Sequence, residues 1–148
     1  MARVGDLLVG HRLVGIGTAI FIYQLETHPR CGAAAGDVLD LIALGRVAAV
    51  TSVVTLAEML VKPIQAGRPD LVGTDQYLIP RYPNLNVAAI TIATERRAAA
   101  LRAIYALQLP DAVRVAACWG AGATAFRTND RRLRRVRELT VVTFDEFE

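Results

Sequence analysis

Short β-branched runs alternate along the chain with longer stretches in which apolar residues recur every three or four positions. Strands and helices taken in turn predict a mostly parallel sheet. Residues 12–17, Arg-Leu-Val-Gly-Ile-Gly, predict the first strand, and 1–12 are an N-terminal extension or the beginning of that strand. Residues 18–26 predict a helix that stops before Pro29, although their aromatic and β-branched content leaves a strand open. Val38, Leu41 and Ile42 share one helix face, which Gly45 can terminate, and 46–54 read as a buried strand. A helix is expected from about Thr55 to just before Pro63, where the ring removes a donor and clashes with the preceding turn. Pro69 opens another helix, and Pro80 and Pro83 mark a loop.

Residues 86–92 predict a third strand, followed by an alanine-rich helix over 93–107 with Leu101, Ile104, Tyr105 and Gln108 on its apolar face. Next come a helix over 111–119 closed near Gly120 or Gly122, a strand over 123–128, an Asn129-Asp130 turn, a basic helix and a last strand over 139–144. No repeat, linker or low-complexity tract interrupts this order. The 148 residues are expected to form one domain.

Composition and charge narrow the function classes only a little. The net charge is +3, and 16 of the 17 basic residues are arginine. Arg131, Arg132, Arg134, Arg135 and Arg137 follow one another closely, as either a solvated helix face or a set of phosphate contacts. Cys31 and Cys118 have no Cys or His at metal-ligand spacing, so two reduced, inert thiols are expected. The first residues carry charge within their apolar stretch and show no cleavage pattern, and no apolar run reaches the roughly 20 residues that span a bilayer. The expectation is a cytoplasmic protein without a membrane segment.

Three acids stand at element boundaries: Glu58, Asp111 and Asp130. Each has a structural explanation when taken alone. Thr55 and Glu58 fit a capping box, Asp111 falls in a first helical turn, and Asp130 can cap the basic helix. In a parallel α/β sheet, however, strand ends and helix starts on one edge converge on one crevice. Three carboxylates there would repel one another unless a hard cation such as Mg²⁺ or Mn²⁺ neutralised them.

The order of VTSVVTLAEMLVKP, LRAIYALQLPDAV, GATAFRTNDRRLRRV and LTVVTFDEF resembles the PIN-domain family, in particular the VapC-like toxin ribonucleases of bacterial toxin–antitoxin pairs. The likeness runs from about Leu13 to Phe147. It implies an α/β/α sandwich with a mostly parallel sheet, dependence on Mg²⁺ or Mn²⁺, cleavage of RNA, a cognate antitoxin and a homodimer. On this resemblance Glu58, Asp111 and Asp130 are the catalytic and metal-binding acids, with Thr128 and Asn129 supporting them. Arg114, Arg131, Arg132 and Arg134 are candidates for holding RNA.

The family's first acid belongs at the end of the first strand, in a pattern like V-x-x-D-T, and here that position is Gly17. Gly17 is not part of a dinucleotide fingerprint either, since Ile20 stands where its third glycine would be. Two arginines depart in the same direction. Arg127 takes a strand position where the family usually has an apolar residue, and Arg114 lies i+3 from Asp111. Either guanidinium could take the cation's place. The alternative is that Arg127 snorkels to the surface while Arg114 binds phosphate. Tyr23, Tyr77, Tyr82 and Trp119 are either base-stacking surfaces or core residues.

Two functions follow from the resemblance. One is a VapC-like endoribonuclease weakened or silenced by the loss of a ligand at Gly17. The other is an inactive PIN-fold module that binds an antitoxin or RNA. An α/β domain without any site is the plain alternative, and it leaves the shared boundary placement of the three acids unexplained.

Overall fold

The computed structural model describes residues 8–25 and 32–143. Cys31, the last residues of the likeness and the N-terminal extension before Leu8 lie outside them. Five strands form one sheet: β1 (Val14–Ile16), β2 (Ala49–Ser52), β3 (Leu85–Ala88), β4 (Ala125–Thr128) and β5 (Thr140–Thr143), in the order β3-β2-β1-β4-β5. Every pairing is parallel, with Ile16 opposite Arg127 and Arg127 opposite Val142. The fold is therefore the expected α/β sandwich.

Helices α1 (Thr18–Leu25), α2 (Gly32–Ala43), α3 (Val53–Gln65), α4 (Pro69–Leu78), α5 (Ile92–Tyr105) and α6 (Leu109–Gly120) supply the crossovers. Side-chain alternation along the strands divides the core in two. Val14, Ile16, Ala49, Ala125 and Val142 pack with Ile20, Val38, Ile42 and Met59 on one face, whereas Val50 and Phe126 pack with Ala98, Leu101, Val115 and Ala116 on the other. A fully buried Ile or Val such as Ile20, Ile42 or Val115 contributes about 1.5–3 kcal/mol.

The segment at 18–26 resolves to helix over its described part, because Ile20 and Phe21 turn into the first core. Gly45 closes α2 at φ 77°, its N–H donating to the Ile42 carbonyl at 3.0 Å.

Four expectations are corrected. First, α3 starts two residues early, at Val53, because Ser52 caps it by accepting the Val54 N–H at 3.0 Å. Thr55 and Glu58 are thus inside the helix and form no capping box. Second, α3 runs through Pro63 to Gln65. The proline sits in the last turn, so it removes one donor close to where the helix ends anyway. Third, on α5 Leu101 and Tyr105 face the second core as expected, with Thr94 and Ala98 buried beside them, whereas Ile104 is 68% exposed and Gln108 lies beyond the helix at the N-cap position of α6. Fourth, the basic segment Arg131–Arg135 is a short 3-10 helix. Leu133 and Val136 both enter the core, and a spacing of three suits a three-residue turn.

Candidate active site

The strand order reverses direction between β1 and β4, the switch point at whose carboxyl ends α/β folds place their ligands. Gly17 and Thr128 lie at this edge. The Gly17 N–H donates to the Arg127 carbonyl at 3.1 Å, tying the end of β1 to β4. Three carboxylates arrive at the same edge from three elements: Glu58 from α3, Asp111 from the first turn of α6, and Asp130 from the turn after β4.

Two arginines connect them. Arg114 Nε lies 2.7 Å from Glu58 Oε1, and Arg114 Nη1 donates to Asp111 Oδ1 at 2.8 Å. The Nε–Glu58 contact is an ion pair whose N–H falls outside hydrogen-bond geometry. Arg132 Nη2 donates to Asp130 Oδ2 at 2.7 Å and reaches to 3.8 Å from Asp111 Oδ2. A single guanidinium thus separates Glu58 from Asp111, and another separates Asp111 from Asp130. The exposures differ: the Arg114 side chain is 21% exposed and that of Arg132 is 64% exposed.

Asp130 is set by its neighbours. Its backbone N–H donates to Thr128 Oγ1 at 3.1 Å, and its Oδ1 accepts the Arg132 N–H at 2.9 Å. The hydrogen bond from the Arg132 side chain holds the Asp130 carboxyl below the usual aspartate range, against a smaller opposing effect of burial. Thr128 thus anchors the turn that carries Asp130, while Asn129 is exposed beside it.

A row of hydroxyls not foreseen as a unit lies behind Glu58. Thr51 Oγ1 donates to the Ile16 carbonyl at 2.7 Å and lies 2.8 Å from Thr55 Oγ1. Thr18 Oγ1 lies 3.3 Å from Glu58 Oε1 and 3.4 Å from Thr55 Oγ1. All three threonines are buried. Their signal in the sequence was a threonine directly after the first strand and two more spaced i, i+4 across the second strand and its helix.

Arg127 does not snorkel. It is fully buried, and Nη1 donates to the Val142 carbonyl on β5 at 3.3 Å. Arg114 and Arg132 meet the three carboxylates. Among the phosphate-binding candidates, Arg114 and Arg132 are thus engaged with acids, Arg134 donates to Thr143, and Arg131 is exposed. Of the aromatic candidates, Tyr82 is half-buried and donates to the Leu39 carbonyl at 2.9 Å, and Trp119 packs on the second core. The side chains of Tyr23 and Tyr77 lie outside the described residues.

A hard divalent cation needs several anionic oxygens facing it without competing cations. Here three carboxylates share two guanidinia, and among the described residues no three Asp, Glu, His or Cys side chains stand close enough to hold a metal. The residues as arranged do not fit a tight Mg²⁺ site.

Comparison with known proteins identifies the family of the chain. The PIN-domain model matches residues 16–139, which include Gly17 and all three acids, and the chain belongs to the PIN-domain family. A comparison with curated proteins gives no match. Among solved structures, a chain of the Rickettsia felis VapBC2 complex bound to a DNA fragment from its promoter superposes with a TM-score of 0.70 at 16% identity, over 88% of this chain and 98% of that one. A chain of a toxin–antitoxin complex from Klebsiella pneumoniae superposes with a TM-score of 0.65 at 20% identity, over 88% of this chain and 96% of that one. Both share the fold. Among the described residues, no helix is long and apolar enough to cross a membrane.

Proposed function

We propose that the protein is a VapC-like PIN toxin homologue whose endoribonuclease centre is attenuated: hydrolysis of RNA phosphodiesters with Mg²⁺ or Mn²⁺ is slow or absent, while binding of an antitoxin and of RNA is retained. The observation that carries the reading is at Gly17. This residue follows β1 at the sheet edge where the Gly17 N–H meets the Arg127 carbonyl, and it offers no side-chain oxygen donor. Family membership supports the nuclease framework. The likeness to two toxin–antitoxin complexes supports an antitoxin as partner, and the homodimer and cytoplasmic location belong to the same proposal.

Within this reading Asp111, Asp130 and Glu58 are the acids a cation would have to recruit, and the two arginines already engage them. Arg131, exposed and next to Asp130 in the chain, is the candidate contact for a phosphate backbone in this reading. The test is RNA cleavage by the purified protein with Mg²⁺ or Mn²⁺, compared with Asp111→Asn. Slow metal-dependent cleavage that Asp111→Asn removes, or none at all, is expected. Rapid cleavage that Asp111→Asn leaves unchanged would contradict it.

A further inference from the structure

Three like charges gathered at one edge destabilise a protein unless something neutralises them. In this chain the neutralising group is covalently part of the protein. Arg114 rises from α6 one turn after Asp111, so the backbone that presents the carboxylate also holds the guanidinium over it. The same guanidinium reaches α3 and closes on Glu58. It is four-fifths shielded from water.

Arg132 differs in kind. Its side chain is mostly exposed, and its main partner, Asp130, is only two residues away. That pair is a local turn contact that water and salt weaken.

We propose that Arg114 is a resident counter-cation: its guanidinium holds the place between Glu58 and Asp111 that a divalent cation would need, stabilises the acidic centre without metal, and must be displaced before a metal can enter. The inference rests on reading these acids as a PIN-type metal centre, but not on whether the chain cleaves RNA. Metal and guanidinium compete for the same carboxylate oxygens. Removing the guanidinium should therefore cost stability in the absence of metal and create a metal dependence that the parent protein lacks.

The experiment is thermal melting of the full chain in EDTA and in millimolar Mn²⁺, without RNA. The unaltered protein should melt at the same temperature in both. Arg114→Gln should melt lower in EDTA and recover by about 5 °C or more in Mn²⁺. Adding Asp111→Asn to Arg114→Gln should abolish that recovery. If Arg114→Gln melts lower but ignores Mn²⁺, Arg114 is only a structural ion pair and the proposal is overturned. It is equally overturned if Mn²⁺ raises the unaltered protein as much as the variant. Should Arg114→Gln not fold, Arg114→Lys serves instead, because a point charge cannot span both carboxylates as the planar fork does. It should show a smaller Mn²⁺ response of the same sign, and no response would overturn the proposal. Failure of RNA cleavage leaves these melting results untouched, so the two readings fail separately.

Discussion

Gly15 and Gly17 lie two residues apart at the end of β1 and face the same side of the sheet, yet packing demands glycine only at the first. A Cβ on Gly15 would stand 2.7 Å from the Phe126 ring and 2.8 Å from Cys118 Cβ. A Cβ on Gly17 would meet the Arg127 carbonyl oxygen at 3.4 Å and the Phe126 ring at 3.7 Å, which are ordinary contacts. Nor is Gly17 among the residues with positive φ. Neither space nor backbone conformation requires a glycine there.

This contrast is measurable by denaturant unfolding. Gly15→Ala should lose about 1–3 kcal/mol through overpacking against Phe126 and α6. Gly17→Ala should be neutral or stabilising by up to about 1 kcal/mol, since it restricts the unfolded chain at a conformation alanine can adopt. Equal losses at both positions would mean that Gly17 is structural after all.

The pH dependence of the Asp130 turn has a definite sign. Because the Arg132 hydrogen bond lowers the Asp130 pKa on folding, the contact stabilises the protein above the unfolded aspartate pKa of about 3.9 and is lost as pH falls through the lower folded value. Carboxyl NMR titration should find Asp130 titrating below the usual range, and Arg132→Ala should move it back up. An unchanged Asp130 titration in Arg132→Ala would show that the contact does not persist in solution.

Cys118 should behave as an apolar core residue. Burial pushes its thiol up to about 12, and Sγ donates weakly to the Val50 carbonyl at 3.5 Å. Alkylation at pH 8, read by mass spectrometry, should modify Cys118 only as fast as the protein unfolds. Rapid labelling of the native protein would contradict the packing of α6 on β2.

Arg127 offers a test of which arginine matters at the site. Its guanidinium donates to the Val142 carbonyl on β5, on the side of the sheet away from Gly15 and α6. Arg127→Leu keeps an apolar group in the core and should cost less than Arg127→Ala, which leaves a cavity costing about 2 kcal/mol or more. Neither should create a Mn²⁺-dependent rise in melting temperature. Such a rise would transfer to Arg127 the role assigned to Arg114.

Much of the fold was legible because period and punctuation agreed. Gly45, Pro69 and the β-branched runs fixed elements that the structure keeps, and the parallel order brought Glu58, Asp111 and Asp130 to one edge. Where the sequence misled, a local rule met a stronger neighbour. Thr55 and Glu58 have capping-box spacing, but Ser52 stands three residues earlier and takes the N-cap, which turns Thr55 inward to Thr51 and Thr18. Ile104 is apolar at helical spacing, yet the small residue Ala98 sets the face on which α5 meets the second core. The i+3 spacing put Asp111 and Arg114 on one helix face but left open whether Arg114 would turn to the acids or to phosphate. That the same guanidinium also closes on Glu58 depends on how α3 and α6 pack, which no local pattern records.

The most direct measurement is Mn²⁺-dependent RNA cleavage by Gly17→Asp beside the unaltered protein and Gly17→Asp with Asp111→Asn. An aspartate at 17 would rise on the face of β1 that looks toward α6, where the space for its Cβ already exists. It adds an anionic oxygen donor to a centre in which two guanidinia nearly balance three carboxylates. If the centre is a PIN nuclease site short of one ligand, Gly17→Asp should cleave RNA about 10-fold faster or more, melt lower in EDTA, and lose its gain when Asp111→Asn is added. A folded Gly17→Asp protein that neither cleaves faster nor responds to Mn²⁺ would contradict the lost-ligand reading.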